Sequence, residues 1–116
     1  MRETERAEAW SLPVLADDLL EKARASRAQR AAATVFGDHD SILRQTAIAI
    51  LAGSGLAEHD SPPEATLQVL AGRVRLHSAE HEWALAAGDL IAIPPERHSV
   101  DALDDAVLLL TVRRAS

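Results

Sequence analysis

The feature that most constrains this chain is a succession of short apolar runs, each closed by turn residues, from about residue 34 to the C-terminus. The runs cover 34–36, 43–52, 65–71, 73–76, 82–86, 90–93, 99–102 and 106–112. Between them stand Gly37-Asp38, Gly53-Ser54-Gly55, Ser61-Pro62-Pro63, Gly72, Gly88-Asp89, Pro94-Pro95 and Asp104-Asp105. Segments of this length hold one strand each, and many short strands at near-regular spacing predict an antiparallel sandwich or barrel. The runs 73–76 and 82–86, joined through Ser78-Ala79-Glu80, read as a hairpin. With 116 residues, one domain is expected and not two.

Ahead of the strands the pattern differs. Residues 1–10 are polar and charged, and 1–12 read as a flexible N-terminal segment, with Trp10 as its anchor on the body. Ser11 and Pro13 form a helix start. Leu15, Leu19, Leu20 and Ala23 make an apolar stripe, so a helix is expected from 14 to about 30, within an N-terminal helical region of 13–33. Asp17, Asp18 and Glu21 lie early in it, and Arg24, Arg27 and Arg30 late, the order that suits a helix dipole. The barrel domain then occupies 34–116.

Composition excludes several classes of function. The chain has no cysteine, which removes disulfides, thiolate metal sites and cysteine nucleophiles. Its formal net charge is −6, and neither half is basic, so no nucleic-acid or membrane partner is expected. No run reaches the roughly 20 apolar residues of a membrane span, and the charged N-terminus is unlike a secretory signal. The expected location is the cytoplasm. The use of arginine for nearly every cation suggests a GC-rich, bacterial source.

The runs 43–52 and 106–112 are apolar on both faces: Ala47 and Ala49 share one face of the first, Ile48 and Ile50 the other. A barrel interior covers one face only. The helix stripe is narrow, so a homodimer is expected, with Ile48, Ile50 or outward members of 108–110 at the interface. Val69, Val74, Leu85, Ile91, Ile93, Val100 and Leu109 are the expected core.

The stretch from Gly53 to Gly72, GSGLAEHDSPPEATLQVLAG, resembles the first motif of the cupin superfamily, small jelly-roll β-barrels. Gly53, five residues and His59 match in type and spacing, and Gly72 matches at the far end. In between, Ser61 stands at the second histidine and Ala65 at the glutamate. A second motif is matched by Gly88, five residues and Pro94, with Glu96 at a glycine position and His98 one residue early. The resemblance covers roughly residues 40–113 and implies an all-β cupin jelly-roll barrel with one N-terminal α-helix.

In metal-binding cupins three histidines and a glutamate hold the metal inside the barrel. The resemblance leaves this chain two of those ligands, His59 and His98, whereas transition metals take three or four nitrogen or carboxylate donors. Two readings follow. In the first, the barrel binds a small organic ligand, with His59 and His98 at its mouth and Gln68 as a further contact. In the second, a divalent transition metal sits on His59, His98 and a non-standard third ligand, Glu64, re-aimed by a bulge, and the chain is a metal-dependent enzyme of dioxygenase, isomerase or decarboxylase type. Histidine near neutrality also suits proton transfer. His77 and His81 flank the hairpin turn and are expected to face each other across the strands, solvated. His39, in a turn with two carboxylates, is expected to face solvent.

Overall fold

The computed structural model describes residues 8–59 and 64–114, with the side chains of Glu58 and His59 outside that description. Among the described residues one helix, α1 (Leu12–Arg24), precedes nine strands: β1 (Arg30–Phe36), β2 (Leu43–Ile50), β3 (Gly55–His59), β4 (Glu64–Ala71), β5 (Arg73–Ser78), β6 (Glu82–Ala86), β7 (Leu90–Ala92), β8 (His98–Ala102) and β9 (Ala106–Arg113). Two sheets form, ordered β1-β2-β9-β4-β7 and β3-β8-β5-β6, and every strand pair within them is antiparallel.

Strand parity divides the apolar residues into two cores. Ile50, Leu67, Val69, Val74, Leu76, Val100, Ala102, Ala106 and Leu108 face one another between the sheets, with Ile48, Leu56, Trp83, Leu85, Ile91, Ile93 and Leu110 packed around them. On the outer face of the five-stranded sheet, Ala47, Ala49 and Val107 meet Ala16, Leu19 and Ala23 of α1. The helix is capped by Ser11, whose side chain accepts from the Val14 N–H, with Pro13 in the first turn. Burying Leu19 to 1% exposure stabilises the docked helix by about 1.5–3 kcal/mol.

Several expectations need correction. The helix ends at Arg24, so residues 30–33 are strand and not helix. A turn held by Ser26, whose Oγ accepts from the Ala28 N–H at 3.2 Å, leads to Gln29 at φ 58. The alanine-rich run after it pairs with β2 from Arg30↔Ile50 to Thr34↔Thr46, and a ladder plus packing of Ala31, Ala33 and Val35 on the helix side overrides helix propensity. Only Lys22 and Arg24 lie in the last helical turn, and Arg24 reaches Asp105 at 3.1 Å. Trp10 is 51% exposed and so is not buried against the body; the rest of the 1–12 segment up to residue 7 lies outside the described residues.

Ile48 and Ile50, expected at a dimer interface, belong to the interior core. Their outward neighbours Ala47, Ala49 and Val107 are buried inside the single chain by α1, because alanines let the helix approach closely. Of the expected core, Val69, Val74 and Val100 are fully interior and Leu85, Ile91 and Ile93 line it. Leu109 is buried on the opposite face, in register with Ala47 and Gln68.

Ends of the barrel are tied by polar contacts. At one end Arg73 grips Asp104 through two hydrogen bonds of 2.8 and 3.2 Å, which hold the Asp104 carboxyl below its ordinary value. The Asp105 carboxyl is lowered too, first by the backbone N–H of Ala52 and then by Arg24. At the other end Arg114 donates to the carbonyls of Asp38, His39 and Ser41. Asp38 there accepts from the N–H of Asp40 and the hydroxyl of Ser41, which lowers its pKa. His39 faces solvent as expected. Among the described residues no helix is long and apolar enough to cross a membrane.

Candidate functional site

The mouth of the barrel is the end at which β7 crosses to β8. On the five-stranded sheet its outermost interior-facing row is built by register: Arg44 opposite Val112, Val112 opposite Ala65. The row ends at Ile93, whose N–H donates to the Ala65 carbonyl at 2.9 Å. Pro94 to Arg97 then carry the chain to the other sheet, where His98 lies between the backbones of His59 and Ser78. One row deeper stand Leu56, Val100, Leu76 and Trp83, paired in that order.

His98 shares the inward parity of Val100 and Ala102 and is 2% exposed. Its Nδ1 lies 2.9 Å from the backbone carbonyl of Glu96. A carbonyl only accepts, so Nδ1 carries the proton and donates, and the neutral ring has its lone pair on Nε2. Glu96 also extends its carboxylate to within 3.8 Å of His81 Nδ1, and the His81 ring stacks on Trp83 with centroids 5.7 Å apart. The glutamate at the motif's glycine position thus joins His98 to the His81–Trp83 pair.

The structure separates the sequence-derived candidates. His98 is interior, and the β3–β8 register sets the His59 backbone opposite it; the His59 side chain and Ser61 lie outside the described residues. Gln68 is not in the barrel. It has the parity of Leu70, opposite to Leu67 and Val69, and pairs with Leu109 on the outer face. Glu64 is turned outward as well, its Oε2 3.2 Å from Arg113 Nε. No bulge re-aims it, because β4 keeps register with β9 from Glu64 to Val69. His77 and His81 do not face each other. His77 lies on the outer face of the four-stranded sheet, 2.6 Å from Asp101 and 3.4 Å from Glu82, while His81 covers Trp83.

A transition metal does not fit the described donors. Ala65 occupies the inward position where a glutamate would ligate and offers no donor, and Glu64 is engaged outside. Among the described residues no group of three or more His, Asp or Glu side chains could hold a metal ion. Sequence reasoning missed Arg44, Trp83 and Glu96. Parity held the signal for the first two: Arg44 is in step with Ile48 and Ile50, and Trp83 with Leu85.

No protein-family profile and no curated protein sequence matches the chain. Solved structures do resemble it. A protein of unknown function from Streptococcus pyogenes superposes with a TM-score of 0.72 at 20% identity, over 97% of this chain and 91% of that one. A cupin superfamily protein from Desulfitobacterium hafniense gives 0.67 at 10% identity, over 74% and 78%. A salicylate 1,2-dioxygenase from Pseudaminobacter salicylatoxidans gives 0.70 at 17% identity, over 86% of this chain and 33% of that one. The fold, two antiparallel sheets with one added helix, is the cupin jelly roll.

Proposed function

We propose that this cupin-fold chain binds a small organic ligand in the mouth of its barrel, with His98 as the central polar contact. One observation carries the reading: a histidine 2% exposed, with its ring orientation set by the Glu96 carbonyl, in a barrel filled mostly with apolar side chains. A buried polar ring of fixed tautomer is what gives orientation to a ligand in an apolar pocket. The fold alone does not choose a chemistry, and the outward Glu64 weighs against the metal-dependent enzyme. A cytoplasmic setting is part of this reading.

Saturation-transfer NMR against a panel of sugars, amino acids and small carboxylates tests it. Hits that vanish in a folded His98→Ala variant support the reading. A panel without hits, or hits indifferent to His98→Ala, contradicts it.

A homodimer belongs to the same proposal. Its face is the apolar edge beside α1, where Leu12, Pro13 and Leu70 border a groove of about 250 Å³ and Leu90 is 63% exposed on the adjoining β7. Light scattering should show twice the mass of the chain, and Leu90→Asp should halve it. A monomeric wild type contradicts the dimer.

A further inference from the structure

We infer that the ligand of the mouth is a small monocarboxylate with an apolar or aromatic body, and that Arg44 holds its carboxylate; the inference rests on the mouth being the ligand site. Arg44 has the inward parity of Ile48 and Ile50 and stands in the same row as Val112 and Ala65. Its Nε is buried and has no hydrogen-bond partner. Four other described guanidinium groups are paired on the outside of the barrel: Arg24 with Asp105, Arg73 with Asp104, Arg75 with Glu82 and Arg113 with Glu64.

A guanidinium keeps its charge at every accessible pH, and a buried donor left without an acceptor is costly. A carboxylate answers both needs, since its two oxygens match the guanidinium fork. One negative charge suits the site better than two, because a single guanidinium stands in this row beside Val112 and Ala65. Ala65, in the same row, stands where the cupin motif places a glutamate, so no acid at that position competes for Arg44. Beyond the guanidinium the interior is apolar, with Leu67, Ile91 and Trp83 partly or wholly buried, and so fits a hydrocarbon or aromatic body.

Benzoate and benzamide have nearly the same shape and differ in charge, so they serve as probes in calorimetric titration of the intact chain. Wild type should bind benzoate at least about tenfold more tightly than benzamide, and Arg44→Met should weaken benzoate about 10- to 100-fold while leaving benzamide unchanged. Arg44→Met should melt no lower than wild type, since it removes an uncompensated buried donor. Equal affinity for the two probes in wild type, or a preference that survives Arg44→Met, overturns the assignment of Arg44 and leaves small-molecule binding intact. Failure of both probes to bind overturns the inference, while the reading it rests on stands or falls with the wider ligand panel and His98→Ala. Loss of folding in both Arg44→Met and Arg44→Gln would give Arg44 a structural role and overturn it as well.

Discussion

The ring of His98 donates from Nδ1 to the backbone carbonyl of Glu96 at 2.9 Å, across the turn that brings the chain from one sheet to the other. A backbone acceptor cannot rotate away, so the neutral ring is held in one tautomer. Ring nitrogen-15 shifts of labelled protein above neutral pH should report His98 as the Nδ1–H form. An Nε2–H form would show that the Glu96 contact does not organise the mouth.

Gly72 separates β4 from β5 at φ 75, and a Cβ there would run into the Asp105 carbonyl oxygen and lie 2.9 Å from the Ala106 Cα. Gly53 has φ 85 but open space around it. Gly53→Ala should therefore cost about 1–2 kcal/mol, the penalty of a left-handed L-residue, and Gly72→Ala distinctly more because backbone must shift. Denaturant unfolding of the two variants checks the order. Equal losses would mean that the β4–β5 turn and the start of β9 are not in contact.

Much of this architecture was legible in the sequence, because strands buried on one face alternate and turns need their own residues. The hairpin of β5 and β6 follows from that, and β9, buried over Ala106 to Leu109, from its unbroken apolar run. The first strand was not legible: Arg30 to Ala33 have helical preference, and the edge of β2 together with packing under α1 makes them extended. Leu109 and the pair Ile48 and Ile50 were assigned to the wrong faces for one reason. Both faces of those strands are apolar, so periodicity cannot tell the side under α1 from the interior. At the mouth, His98 was legible from motif spacing, whereas Arg44 and Trp83 needed the phase of their strands.

Acid should weaken the end of the barrel opposite the mouth. The carboxyls of Asp104 and Asp105 are depressed below the ordinary 3.8, by Arg73 for the first and by the Ala52 N–H and Arg24 for the second. A depressed folded-state pKa gives stability that is present above the unfolded value and lost as pH falls through the folded one. Melting temperature should fall through this range, and Asp105→Asn should show a shallower decline. Parallel curves for wild type and variant would contradict the assignment.

With Ala65 inward and Glu64 engaged by Arg113, protein purified without chelator should carry far less than one divalent metal per chain. Added zinc should stabilise the fold by much less than the roughly 2.7 kcal/mol expected of a site filled at a hundred times its Kd, as read by denaturant unfolding. Stoichiometric metal that disappears in His59→Ala would restore the metal-dependent enzyme.

The central claim is that ligand enters the mouth beside His98, and the two tryptophans report on it directly. Trp83 lines the interior one row below His98, while Trp10 is 51% exposed ahead of α1. Proton NMR of the two indole N–H signals, assigned with Trp10→Phe, can follow a benzoate titration. The account predicts a saturable shift of the Trp83 signal with Trp10 unmoved. A shift confined to Trp10, or none at Trp83 at saturating benzoate, would contradict it.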